Sequence, residues 1–275
     1  MKMYDYERTE TVSVEHGAKQ RSFEMPMMHT HGCHELYFLV SGQRRYLIGS
    51  KLYEVSPGNI VLVPRNRLHR TTMVNRKGHS RYVVYFSEEY LHDFIALIGQ
   101  EAFDGFMEKG CLRLPETDVT SVHDTLRQMD RDQKQNAPLA QAYLKTALQN
   151  ILLLLLRRGE AVDNAADHSA GKIQEATRYI TDNFAMDLTL EDAASIACME
   201  KTYFCKCFKN LTGFGFTEYL TRVRIQAAEN YLQNTDLSVS EIARRCGFSG
   251  SNYFGDVFRR CIGVSPSAFR KQYRP

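Results

Sequence analysis

His29-Thr-His31-Gly-Cys-His-Glu35, with His69 further along, gathers the residues of this chain best suited to binding chemistry. Histidines two apart on a strand share a face, so His29, His31, Glu35 and His69 can converge inside a small barrel. Three imidazoles and a carboxylate make a donor set for Zn, Fe, Mn or Ni. The other chemistry open to them is hydrogen bonding. With Tyr37, Arg44 and Tyr46 they line a polar pocket whose many donors and acceptors suit a polyol or sugar. The pocket is the preferred reading and a metal at His29, His31, Glu35 and His69 the alternative, so no cofactor is expected beyond an effector. His34 and His79 read as surface histidines near the barrel mouth.

A second chemistry is written twice. Leu188–Ala194 matches Leu237–Ala243 at an offset of 49, and Tyr203-Phe204, Phe208 and Gly213 match Tyr253-Phe254, Phe258 and Gly263 at an offset of 50. Each copy reads as helix, tight turn, helix, the unit whose second helix enters a DNA major groove. Phe204, Cys207 and Phe208 share one face of the first reading helix and should be buried, which leaves Thr202, Cys205, Lys206 and Lys209 outside. In the second copy Phe254, Val257 and Phe258 should lie inside, with Ser251, Asn252, Gly255, Asp256 and Arg259 outside. Lys206 and Asn252 are the best donors toward base edges. Lys201, Lys209, Arg259 and Arg260 are better placed for phosphates.

Residues 1–86 must position the histidines, and they read as strands. Glu35–Val40, Arg45–Ile48 and Ile60–Val63 are short aliphatic and aromatic runs separated by Ser41-Gly42, Gly49-Ser50 and Ser56-Pro57-Gly58-Asn59, which suggests a sandwich or small barrel. From 87 to 158 the signal is helical. Leu139, Tyr143, Ala147, Ile151 and Leu154 recur at helical spacing within Pro138–Arg158, as a core face or a dimer seam. Residues 159–171 have no periodicity and read as a linker. Thereafter the chain is helical, with N-terminal capping signals at Thr189 with Asp192, Ser238 with Glu241, and Ser265-Pro266.

Composition narrows the class. At 275 residues the chain suits two domains. Its seven cysteines are scattered and odd in number, which favours free thiols in a reducing cytoplasm over a disulfide framework. The start has no secretory apolar run. The longest aliphatic run, Ile151–Leu156, falls far short of the roughly 20 residues a membrane span needs. Net charge is only +3, but residues 244–275 hold seven basic residues (Arg244, Arg245, Arg259, Arg260, Arg270, Lys271, Arg274) against one acid, Asp256, a net +6 suited to phosphate.

Several stretches carry family resemblances. Leu220–Ile225, Glu241–Phe248, Tyr253-Phe254 with Phe258-Arg-Arg260, and Gly263–Arg270 look like the DNA-binding domain of AraC/XylS-type bacterial transcription regulators. The resemblance covers 172–275 and implies a long helix, from about Phe216 to Gln233, holding the two reading helices roughly one DNA turn, ~34 Å, apart. Departures are Asp256, where Arg is frequent, and Glu200, where a small polar N-cap is common. The carboxylate of Asp256 could accept from a cytosine amino group. His29, His31 and Glu35 with Gly42, then Gly58, Pro64 and His69, resemble the two cupin motifs. There the departures are Phe23 for an opening Gly, Asn66 for a Gly and Met73 for a closing Asn.

The expectation is therefore an α+β chain of two domains. A cupin-like barrel with C-flanking dimerisation helices (1–158) and a linker (159–171) precede an all-α domain with two helix-turn-helix units (172–275). The expected function is a cytoplasmic, homodimeric regulator of double-stranded DNA. It would be an activator that answers a small sugar-like effector and touches RNA polymerase, with no catalytic residues and no membrane contact. The alternative is a metal-dependent cupin enzyme fused to a DNA-binding domain.

Overall fold

A computed structural model describes residues 12–19, 25, 28–74, 78–162 and 168–273. The motif position at Phe23 and the basic Arg274 lie outside the described residues. The chain divides into two compact units.

The first unit is built on strands β1 (Ser13–Lys19), β2 (His34–Ser41), β3 (Arg44–Ile48), β4 (Lys51–Val55), β5 (Asn59–Val63), β6 (His69–Met73), β7 (His79–Phe86), β8 (Cys111–Arg113) and β9 (Glu160–Ala161). They form a six-stranded sheet in the order β1-β7-β2-β5-β8-β9 and a three-stranded sheet β4-β3-β6. Helices α1 (His92–Ile98), α2 (Gln100–Met107), α3 (Glu116–Lys134) and α4 (Ala140–Arg158) belong to the same unit.

β2 and β5 are buried on both faces, which explains their continuous apolar runs. Strand alternation sorts their side chains. Tyr37, Leu39, Val61 and Val63 meet Tyr46, Ile48, Tyr53 and Val55 between the sheets. Leu36, Phe38, Ile60 and Leu62 point the other way, into a core shared with α1–α4. The expected strands are all present.

Three features of this unit differ from expectation. β8 interrupts the stretch read as helical: it pairs with β5, Ile60 opposite Leu112, and three residues are too few to show a period. β9 pairs with β8 and takes up the first residues of the expected linker. On α4 the stripe is rotated: Leu144, Ala147, Leu148, Ile151, Leu152 and Leu155 are buried in the core, whereas Leu139 is 82% exposed and lies before the helix with a left-handed φ of 60°. Most of this helix's apolar surface thus serves the core, and Leu139, Tyr143 and Leu153 remain outside.

The second unit is all helical: α5 (His168–Asp182), α6 (Leu190–Ile196), α7 (Lys201–Thr212), α8 (Phe216–Asn234), α9 (Val239–Arg245), α10 (Ser251–Ile262) and α11 (Pro266–Tyr273). α5 begins inside the segment read as linker. The repeated sequence becomes repeated structure, α6–α7 and α9–α10, joined by the long α8. Both reading helices end on a left-handed glycine, Gly213 at φ 84° and Gly263 at φ 94°, a conformation only glycine adopts without a Cβ penalty.

Candidate functional sites

Side-chain caps fix the starts of α6, α7 and α9, whereas α10 starts at Gly250 without one. Thr189 and Asp192 form a reciprocal capping box at α6. At α9 the Ser238 hydroxyl accepts from Glu241 N, but the Glu241 carboxylate turns to Arg244 and Arg245 instead. Those two guanidiniums hold its carboxyl down at about 2. Glu200, the unusual N-cap of α7, accepts from both Thr202 N and Tyr203 N, so its longer side chain does the same work as a serine.

From these starts the faces follow. Phe204 and Phe208 of α7, and Phe254, Val257 and Phe258 of α10, are buried, while Cys207 is only half-buried. Lys201, Thr202, Cys205, Lys206 and Lys209 are exposed on one helix, and Ser251, Asn252, Asp256, Arg259 and Arg260 on the other. Gly255 is half-buried. Among the described residues the recorded ion pairs leave Lys206, Lys209, Arg259 and Arg260 unengaged, but Lys201 is bonded to Glu191. Arg244 and Arg245 share Glu241, and Arg270 donates to Leu237 O. The basic tail is therefore less available to phosphate than its count suggests, because Glu241, three residues before Arg244, neutralises part of it. Two exposed aromatics, Tyr203 (52%) and Tyr253 (58%), occupy equivalent places at the two helix starts. Their shared spacing in the repeat is the signal that could have marked them.

The histidine cluster forms as well, though on irregular backbone rather than one strand. His29 makes an isolated bridge to His69, each backbone N–H donating to the other's carbonyl at 3.0 Å. His31 precedes β2, and its carbonyl accepts from Asn66 N at 2.8 Å. Asn66 has φ 57°; asparagine tolerates this left-handed conformation, so it substitutes for the motif glycine. The imidazoles of His29 and His69 lie 4.2 Å apart between centroids, and those of His31 and His69 4.9 Å.

Glu35 stands at the centre. Its Oε2 is 3.2 Å from His31 Nε2 and 3.7 Å from His69 Nε2, and its Oε1 accepts the Tyr46 hydroxyl at 2.6 Å. Burial raises the Glu35 carboxyl, but the two histidines outweigh this and hold it well below its usual range. Burial likewise lowers His31, yet its bonds to Cys33 and Glu35 prevail and raise it to about 10. His29, penalised by burial and by neighbouring His69, falls to about 3. Tyr46 is pushed well above the phenol range by burial and by Glu35. Tyr37 and Arg44 complete the polar wall, with Arg44 Nε donating to Thr71 Oγ1 at 3.2 Å. Except for half-buried His29, all seven expected effector residues are closed to solvent.

His34 and His79, expected at the surface, are buried at 3% and 4% exposure. His34 stacks on Phe86, meets Phe103 edge-on, and bonds Glu88 at 3.2 Å; its ring fills an aromatic gap instead of facing solvent. Sequence reasoning also missed a cavity of about 510 Å³ on the far side of β2, lined among others by Val40, Asn59, Arg113, Thr120 and His123. Its residues are scattered along the chain without a motif. All seven cysteines are free, and no helix among the described residues is long and apolar enough to cross a membrane.

A sheet-rich unit with a buried polar centre, followed by two helix-turn-helix units, is the architecture of a two-domain DNA-binding regulator. The chain belongs to the AraC family: residues 14–152 match the AraC-like ligand binding domain and 193–272 a helix-turn-helix domain. It is a transcription regulator with a ligand-binding N-terminal domain, not an enzyme. Among similar proteins, the regulatory protein PocR of Salmonella typhimurium is 42% identical over 101 residues, 37% of this chain and 33% of PocR, so the chain spans a third of that relative's length. The HTH-type transcriptional activator RhaS of an Enterobacter species is 27% identical over 246 residues, 88% of this chain and 87% of RhaS. The DNA-binding domain of AdpA, solved with a target DNA, is 32% identical, covering 38% of this chain and 93% of that domain, at a TM-score of 0.37.

Proposed function

We propose that this protein is a homodimeric transcriptional activator that reads two successive major grooves and answers a small polar effector. One observation carries the DNA half: two equivalent helices present the same exposed polar face, fixed by equivalent buried phenylalanines. Lys206 and Asn252 reach base edges, supported by Thr202, Cys205, Ser251 and Asp256. Lys201, Lys209, Arg259 and Arg260 hold phosphates. The name of RhaS, matched over 87% of its length, supports activation, and contact with RNA polymerase is part of this reading. Exposed Leu139, Tyr143 and Leu153 support a contact between two copies. Footprinting on genomic fragments tests the reading: protection of a preferred stretch of about two helical turns is expected, and uniform weak protection would refute it.

His29, His31, Glu35, Tyr37, Arg44, Tyr46 and His69 form the effector site in this reading, and their dense hydrogen-bonding capacity suits a sugar or related polyol. Their closure to solvent means that an effector enters only as those side chains part. The cavity beside His123 favours a second placement, since its volume falls in the range of small-molecule sites. A thermal-shift screen of sugars distinguishes them, because a ligand that binds only the folded state raises its melting point. Loss of the shift in Tyr37→Phe supports the interior site, and loss in His123→Ala supports the cavity.

A further inference from the structure

Three histidines of the sensor unit each bring a ring nitrogen to one place. His29, His31 and His69 each offer a nitrogen within 4.8 Å of the other two. The second nitrogens of two rings are already committed: His31 Nδ1 donates to Cys33 O at 2.8 Å, and His69 Nδ1 donates to Arg67 O at 2.8 Å. At His69 the backbone carbonyl on Nδ1 fixes the tautomer and leaves the lone pair on Nε2, which is how metal-ligating histidines are oriented, whereas at His31 an ion takes the place of the proton that Nε2 shares with Glu35. His69 is wholly buried, and its Nε2 has no hydrogen-bond partner. A buried unpaired ring nitrogen is costly, and a cation at the centre removes that cost.

Charge points the same way. Glu35 lies against His31 and His69, and its other oxygen is held by Tyr46. This carboxylate, buried at 3% exposure, balances a divalent ion from the adjoining shell. We infer that His29, His31 and His69 form a binding site for one first-row divalent transition ion, with Glu35 as its oriented counter-charge. Imidazole donors select Zn, Cu, Fe, Co or Ni over Mg or Ca. Zn–N bonds measure ~2.0–2.1 Å, so the rings draw inward when they ligate. Three protein ligands leave coordination positions open to water or to a hydroxyl-bearing ligand. The inference goes beyond the effector reading, and it holds whether or not an organic effector also enters.

Cobalt(II) alone is the probe, titrated into chelator-treated full-length protein and followed by visible absorption and melting temperature. A saturable protein-bound absorption at one cobalt per chain, with a raised melting point, is expected. His29→Gln, at a half-buried position, should abolish both signals while circular dichroism stays native, and His69→Gln should do the same. His92→Gln, on the exposed histidine of α1, should leave both unchanged. Absence of protein-bound absorption in the parent overturns the inference, and so does a signal that survives in both His29→Gln and His69→Gln. DNA binding by the same samples is read separately, so failure of the regulator reading cannot be mistaken for failure of the metal site.

Discussion

The Tyr46 hydroxyl donates to Glu35 Oε1 across 2.6 Å, joining β3 of the small sheet to β2 of the large one, and both side chains are almost completely buried. A hydrogen bond to a buried charge contributes about 1.5–3 kcal/mol, and deleting the donor leaves the carboxylate short of a partner. Tyr46→Phe is therefore expected to lower the stability of the sensor unit by roughly that amount, read as a reduced urea midpoint. An unchanged midpoint would mean that water solvates Glu35 once the hydroxyl is gone.

That pairing also shows where sequence stops being legible. The continuous apolar runs of β2 and β5 report burial on both faces, and the i, i+3, i+4 spacing of Phe204, Cys207 and Phe208 reports a helix face. Both are local signals. The convergence of His29, His31 and His69 is partly legible because the first two are close in sequence. What Glu241 does to Arg244 and Arg245, what Phe86 and Phe103 do to His34, and how β8 enters the sheet all depend on partners that no period announces. The first lowers the effective charge of the tail, the second buries an imidazole, and the third breaks a helical stretch.

Base reading and backbone holding separate in their response to random DNA. Lys206, exposed and without an ion pair among the described residues, is assigned to base edges. Lys206→Ala should cost roughly 1–3 kcal/mol on the preferred site and little on random duplex, which lowers specificity. Arg260→Ala should weaken both duplexes alike. Equal losses on both duplexes for Lys206→Ala would remove it from base reading.

Two lysines at opposite ends of α7 differ in what already neutralises them. Lys201 is bonded to Glu191, whereas Lys209 is exposed and has no ion pair among the described residues. Each phosphate neutralised contributes about 0.9 to the slope of log affinity against log salt. Lys209→Ala should make that slope shallower by about this amount, and Lys201→Ala by clearly less. Glu191→Gln releases Lys201 and should steepen the slope. Binding isotherms across a salt series decide it: identical slopes for the two alanine variants would show that the Glu191 pair does not persist on DNA.

Glu229 on α8 couples the helical unit to pH. Burial raises its carboxyl to about 7, against a smaller opposing pull from Arg222. The folded state thus holds this proton more tightly than the unfolded chain, whose carboxyl titrates near 4.5. Stability falls with pH wherever the folded state binds more protons. The contribution of protonated Glu229 is therefore complete below about pH 4.5 and is lost as pH rises through about 7. Glu229→Gln keeps the shape, cannot ionise, and should be the more stable protein at pH 8 while matching the parent near pH 5. Melting temperatures of both proteins across that range give the answer. Parallel curves would place the Glu229 carboxylate in contact with water, and a crossing in the opposite sense would mean that Arg222 outweighs burial.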